Sequence, residues 1–414
     1  MTAGGAAPWI GADLDSMLSG RLRRTLAGSV LADRTARVVF DAGGAGVWTV
    51  ELGQGRGRVQ RGGRERPTLL VRAPASVLAD VVSGRTCGIH AFLDGTLTVR
   101  GDLALSLQLD GLWEQDGEDG ADRPWSYPRA GAVQAMGVRT SYLEAGPPGA
   151  PPVLLLHGLG ATNASLLPVL ADLARDHRVI APDLPGFGAS AAPGAPYNPT
   201  WFAAWAEAFQ RAIGARRAVV VGNSLGGRIA LEMGLTHPTS IRGLVLLTPS
   251  PAFRRLRQYV PLVRLVTPQL ARLPIPGPIP GLSHRLMVEA IRGMFSVPDR
   301  LLLPWYDAAA DEAVRVMRSP AHRVAFFSCA RQIYLEDAYG RYGFWQRLPG
   351  LLPPALFVWG DRDRLVPPSF ARHVSDALPD AGSVVMQDCG HVPQFEHPAE
   401  TMAIVRGFLE SLPM

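Results

Sequence analysis

Not one lysine occurs in the 414 residues, so all 41 basic side chains are arginines, set against 36 acids for a formal charge of +5. With no lysine there is no phosphate-cradling loop of the kind that needs one. The all-arginine set, beside 45 Gly and 36 Pro, reads as the mark of a GC-rich bacterial genome rather than of a physical demand. Cysteine is nearly absent as well. Cys87, Cys329 and Cys389 are odd in number and widely separated, which argues against a disulfide framework or a metal cluster and fits a reducing compartment. No run of about eighteen apolar residues exists, so nothing reads as a bilayer span. The first 24 residues place their charges after a weakly apolar stretch, the reverse of a secretory leader, and a cytoplasmic location is expected. No nucleic-acid module is recognisable, and no cofactor is implied. The charge is uneven: residues 1–125 carry 14 Arg against 15 acids, and residues 251–345 carry 13 against 7.

What is there starts with Gly222-Asn223-Ser224-Leu225-Gly226, an apolar run before it and a helical pattern after it. This G-x-S-x-G form lifts a serine hydroxyl above a sheet on a sharp turn, where flanking side chains would collide with strand or helix. Upstream, an apolar run at 153–156 ends in His157-Gly158-Leu159-Gly160. Such a loop exposes backbone N–H groups, so Leu159 and Leu225 are the expected oxyanion donors. Further apolar runs at 178–181, 244–247, 355–359 and 383–386 alternate with helical stretches, the pattern of βα units in a parallel sheet. Functional loops of such sheets lie at the carboxyl ends of the strands. Ser224, Asp363 and His391 each follow one.

Residues 133–414 resemble the α/β-hydrolase superfamily, at His157-Gly158, at 183–188 (Asp-Leu-Pro-Gly-Phe-Gly), at 222–227, at 359–363 (Trp-Gly-Asp-Arg-Asp) and at 390–393 (Gly-His-Val-Pro). The order Ser, Asp, His is that of the superfamily. The resemblance implies a mostly parallel sheet with helices on both faces and a helical cap. It also implies a serine hydrolase in which Ser224 is nucleophile, His391 general base and acid, and Asp363 the residue that orients the imidazole. By the same resemblance the acid is Asp363 rather than Asp361, which is left to face solvent or cap its turn. His177, His237 and His373 read as satisfied loop histidines. Serine at the elbow argues against the hydrolases that form an ester on aspartate.

The front of the chain reads differently. Short alternating runs at 36–40, 47–52, 56–60 and 68–72 predict an antiparallel meander, followed by helices at 75–82 and 87–93, a strand at 95–101 and an amphipathic helix at 102–112. Trp48 to Leu52, the turn at Gly84, and residues 91–102 resemble the sterol carrier protein type 2 family over residues 15–113. That resemblance implies a smaller α+β unit with an apolar tunnel for a lipid. An acidic, glycine-rich run predicts a linker at 114–130, so the expected division is 1–113, linker, and 131–414.

An insert at 250–348 is, by resemblance, the cap. Its first part, 253–266, interleaves Arg with apolar residues, a pattern compatible with peripheral contact at an anionic membrane surface, with an acyl-chain pocket, or with an ordinary solvated helix. Four alternating prolines at 274–280 predict a stiff connector. Nine cap aromatics, Phe295, Trp305, Tyr306, Phe326, Phe327, Tyr334, Tyr339, Phe344 and Trp345, exceed what a thin cap needs for its own core, so some are expected to line an apolar substrate site. The reading is a carboxylic ester hydrolase acting through an acyl-enzyme on a hydrophobic ester or lipid. Three alternatives stand beside it: a carbon–carbon bond hydrolase of ring-cleavage products, an acyltransferase with the same triad, and a non-catalytic lipid-binding protein. Oligomeric state is not legible.

Overall fold

The computed structural model describes residues 14–20, 29–110, 128–251, 272 and 282–413. Two sheets organise it. In the front unit, β1 (Ala36–Asp41), β2 (Val47–Gly53), β3 (Arg56–Arg61) and β4 (Leu69–Arg72) are followed by α1 (Ala75–Val82), α2 (Gly88–Leu93), β5 (Thr98–Gly101) and α3 (Leu103–Asp110). The strand order is β3-β2-β1-β4-β5. The expected meander is therefore corrected: β4 lies beside β1 and runs parallel to it, with Val38 opposite Leu69 and Phe40 opposite Val71. Burial explains the order. β1 is buried at four of its six positions and takes the centre, whereas β3 has no buried position and stays at the edge. Alternation reveals that a strand exists but not which neighbour it takes.

The helix α3 also departs from expectation. It is not amphipathic: Leu103, Leu105, Leu107, Gln108, Leu109 and Asp110 are all buried. The reason is that it is sandwiched, lining an apolar cavity of the front unit on one side and sharing a crevice with Ala130, Ser141 and Leu143 on the other.

The second sheet is built from β6 (Arg129–Ala135), β7 (Val138–Ala145), β8 (Pro152–Leu156), α4 (Leu167–Leu173), β9 (Arg178–Pro182), α5 (Pro199–Ala212), β10 (Ala218–Asn223), α6 (Leu225–Thr236) and β11 (Ile241–Leu247). The described part of the cap follows as α7 (Leu282–Arg292), α8 (Leu303–Arg318), α9 (Pro320–Leu335) and α10 (Phe344–Arg347). The chain then closes with β12 (Ala355–Gly360), α11 (Phe370–Ala377), β13 (Gly382–Met386), α12 (Pro393–Glu396) and α13 (Pro398–Ser411). Strand order is β13-β12-β11-β10-β8-β9-β7-β6, parallel from β13 to β9 and antiparallel only at β7 and β6.

Successive residues of a strand face opposite sides, and the central strands are apolar on both. Val153 and Leu155 of β8 join one core while Leu154 and Leu156 join the other, and Val219, Val221 against Val220 repeat this in β10. The first of these cores is continuous with that of the front unit, taking in Trp48, Leu78 and Leu105. Residues 129 and 130 of the expected linker are already strand β6. Residues 111–127 of the chain, and the cap stretches 253–266 and 274–280, lie outside the described residues.

Candidate active site

Between Ala218 and Gly234 every residue is buried except Ser224. β10 delivers it at the carboxyl edge of the sheet, and α6 starts immediately after it. Its backbone sits at φ 54 and ψ −113, a conformation that a residue with a Cβ adopts only under strain. Two glycines make the turn sterically feasible. A Cβ on Gly226 would lie 1.9 Å from the Leu156 carbonyl oxygen, and one on Gly222 would lie 2.4 Å from that of Gly226. Both obstacles are backbone atoms of neighbouring elements and cannot swing aside.

His391 and Asp363 meet at the ends of adjacent strands β13 and β12. His391 Nδ1 lies 2.7 Å from Asp363 Oδ2, and both residues are buried. The other carboxylate oxygen, Oδ1, accepts from the backbone N–H groups of Leu365 (2.8 Å) and Val366 (2.9 Å). The turn thus locks the carboxylate and leaves one oxygen aimed at the imidazole, so that Nδ1 carries the proton and Nε2 is an acceptor. Asp361, expected to face solvent or cap its turn, instead bridges two loops, accepting from the Cys389 N–H at 3.0 Å.

The histidine loop is tied directly to the elbow by Asn223 and Thr248. Asn223, the residue before Ser224, directs its Nδ2 to the carbonyl of Leu247 (3.1 Å), Thr248 Oγ1 (3.0 Å) and the His391 carbonyl (3.3 Å). Thr248 Oγ1 donates to the same His391 carbonyl at 2.8 Å. On the cap side, the His391 N–H donates to Met294 O at 2.8 Å, and Glu396 accepts from the Gly390 N–H and from Ser296 N and Oγ. Nothing local marks Asn223 or Thr248 as partners of the histidine loop. They act across 168 and 143 residues of chain.

The loop after β8 lies against the elbow, a Cβ built on Gly158 coming 3.4 Å from that of Ser224. His157 fixes its course. Its Nδ1–H donates to Gly158 O at 2.8 Å, and Nε2 accepts from the Leu184 N–H at 2.9 Å. Full burial pushes its pKa down to about 4, so the ring is a neutral structural clamp. Among the described residues the N–H groups of Leu159 and Leu225 donate to no other group. Leu225 also opens α6, where the helix dipole favours negative charge.

Most cap aromatics are consumed by packing, contrary to the expected surplus. Phe295 and Tyr306 stack edge to face at 5.4 Å, and Trp345 lies flat against Phe370. Phe344 is buried beneath the Arg228 guanidinium, 4.7 Å from its centroid, and Tyr339 is exposed. Phe326 reaches the loop after β8, 2.9 Å from a Cβ built on Gly160. Cap and elbow helix are also joined by ions. Arg228 pairs with Glu232 (3.0 Å) and with the cap residue Glu336, while Arg347 of the cap grips both Glu232 oxygens at 2.8 and 2.7 Å. These two arginines draw the Glu232 carboxylate down to about 2, against the opposing effect of burial.

The three cysteines are free and buried. Among the described residues there is no group of three or more side chains suited to hold a metal ion, and no helix is long and apolar enough to cross a membrane.

Residues 151–398 match the family described as alpha/beta hydrolase fold, and residues 21–114 match the SCP-2 sterol transfer family. Over 281 residues, 67% of this chain and 89% of the relative, the chain is 28% identical to 2-hydroxy-6-oxo-6-(2'-aminophenyl)hexa-2,4-dienoic acid hydrolase of Metapseudomonas resinovorans. A second relative, pimeloyl-[acyl-carrier protein] methyl ester esterase of Aeromonas hydrophila, is 26% identical over 63% of this chain and 95% of its own. Among solved structures, a bacterial membrane phospholipase A superposes with a TM-score of 0.57 at 26% identity, covering 81% of this chain and 96% of that one.

Proposed function

The chain belongs to the alpha/beta hydrolase fold family, and on that footing we propose that it is a serine-dependent carboxylic ester hydrolase acting through an acyl-enzyme on a hydrophobic ester. The observation that carries this is the pairing of His391 Nδ1 with an otherwise saturated Asp363 carboxylate, beside a strained and solvent-reachable serine. Ser224 Oγ attacks the ester carbonyl while His391 Nε2 takes its proton, and Asp363 offsets the imidazolium charge. The oxyanion is received by the N–H groups of Leu159 and Leu225. Collapse of the tetrahedral species breaks the ester C–O bond, and His391 returns its proton to the departing alcohol. Water then attacks the acyl-serine with His391 again as base, releasing the acid and restoring Ser224. Among the described residues the Ser224 hydroxyl has no hydrogen-bond partner, so its contact with His391 forms as substrate settles, as is common for such sites.

A hydrophobic acyl part is supported by Phe326 against the oxyanion loop and by relatives named as a methyl ester esterase and a phospholipase. The match of residues 21–114 to a sterol transfer family supports a lipid-binding front domain, with the division at 1–113 and a linker up to residue 128. The test is an ester chain-length series on the wild type and Ser224→Ala. Activity that survives in the alanine variant refutes the assignment of the nucleophile.

A second reading has one observation in its favour, the 28% identity to a dienoic acid hydrolase. Turnover of dienoate ring-cleavage products in preference to nitrophenyl esters would replace the ester reading by that one.

A further inference from the structure

The apolar cavity of the front unit lies among α1, α2, α3 and β5, lined by Leu78, Ile89, Phe92, Leu97, Val99 and Leu103. Its free space is about 40 Å³, room for a few waters, whereas sites that bury a drug-sized ligand enclose roughly 300 Å³ or more. A long acyl chain therefore enters only by pushing wall elements outward.

Two of those wall elements carry the cap. From α2, the Phe92 carbonyl accepts the indole N–H of Trp305 at 2.8 Å. From β5, Arg100 Nε donates to Asp311 at 2.7 Å and the Gly101 N–H donates to the same carboxylate at 2.9 Å, with His284 3.3 Å from its other oxygen. Trp305 and Asp311 both belong to α8, which thereby covers the free edge of the front sheet. The Trp305 ring in turn packs edge to face against Phe395, 5.5 Å between centroids, and Phe395 lies on α12, four residues beyond His391. Phe395 donates its N–H to Val392 O, which ties it to the histidine loop. One tryptophan thus touches the wall of the front cavity and the loop that carries the proposed general base.

We infer that a long-chain fatty acid in the front cavity controls turnover at Ser224, by displacing the Phe92 and Arg100–Gly101 anchors of α8 and, through Trp305 and Phe395, the loop that carries His391. This rests on the proposed role of Ser224. The direction follows from the geometry: an empty cavity holds the cap down, and filling it releases α8. Because linkage is reciprocal, a non-reacting substrate analogue bound beside Ser224 changes fatty-acid affinity by the same factor as the fatty acid changes the affinity of that analogue.

The test uses the full chain and oleic acid below its micellar range. Binding is measured by displacement of a fluorescent fatty acid, turnover with a bulky naphthyl ester, and backbone hydrogen exchange over residues 294–311 and 388–397. Saturating oleate is expected to raise kcat/KM of the wild type about fivefold, the lower range of allosteric couplings, and to loosen exchange in both segments. Trp305→Phe, which keeps a ring against Phe395 but donates nothing to Phe92, and Asp311→Asn, a second variant should the first not fold, are expected to bind oleate and lose the response. An absence of oleate binding, or binding with unchanged kcat/KM and exchange, overturns the inference. So does a rise in KM alone that persists in both variants, which places oleate in the catalytic pocket as a competitor. If no ester is turned over and Ser224 resists a fluorophosphonate, the proposed function fails instead, and the exchange measurement still decides the coupling.

Discussion

Glu232 offers a quantitative test of how the elbow is held. It is fully buried on α6, two turns after Ser224, and Glu232→Gln removes the charge that two arginines share. Arg347 loses a bidentate partner, and Arg228, itself 1% exposed, keeps Glu336 as its ionic partner among the described residues. Breaking one member of a buried ion pair costs about 3–5 kcal/mol because the remaining charge stays desolvated. Proton linkage gives a second route to the magnitude. A folded-state pKa of about 2 against the ordinary 4.5 corresponds to roughly 3 kcal/mol. The sign follows from the depressed value: this stability is fully present above pH 4.5 and is lost as pH falls through about 2. Urea unfolding followed by circular dichroism at pH 7 is expected to show a loss of about 3 kcal/mol in the variant. Between pH 4.5 and 3 the wild type is expected to lose stability more steeply than Glu232→Gln. A loss below about 1 kcal/mol, or parallel pH slopes, refutes the reasoning that the two arginines depend on the Glu232 charge.

Ser224→Gly is expected to abolish ester turnover while stabilising the fold by about 1 kcal/mol, because glycine accepts the positive φ without strain; thermal melting beside an activity assay checks both halves. Asp363→Asn keeps an oxygen for the Leu365 and Val366 amides but presents N–H to His391 Nδ1, enforcing the wrong tautomer, and kcat is expected to fall about 10⁴-fold with little change in KM. Gly226→Ala drives a methyl into the Leu156 carbonyl and is expected to cost about 3 kcal/mol or more, read from denaturation midpoints. Asn223→Ala and Thr248→Val each remove one support from the His391 carbonyl. Kinetics of a double-mutant cycle are expected to show a combined loss in kcat unequal to the sum of the single losses, since the two share an acceptor.

Local chemistry alone makes much of this molecule legible. Apolar runs bounded by glycine and proline announce buried strands, and Ser224, Asp363 and His391 each follow one, because side chains at the carboxyl ends of parallel strands share one rim. Gly222 carries its reason within five residues, in the Gly226 carbonyl. Partnerships across the chain left no such trace. That β4 pairs with β1 rather than continuing from β3, and that α3 is buried on two sides, depends on which surfaces remain uncovered once other elements have packed. The cap aromatics looked like a surplus because the sequence does not reveal that Arg228, Phe370 and Phe395 come to meet them.

Sequence alone determined the elements that depend on period and turn: which segments are strands, where the chain reverses, and which residues stand at strand ends. Tertiary structure alone decided the orientation of His391, held by Asn223 and Thr248 from one side and Met294 from the other, and the attachment of the front unit to the cap through Trp305 and Asp311. The physical reason is range. Backbone propensity and side-chain periodicity act over a few residues, whereas these contacts join groups brought together only when two apolar surfaces are buried against each other.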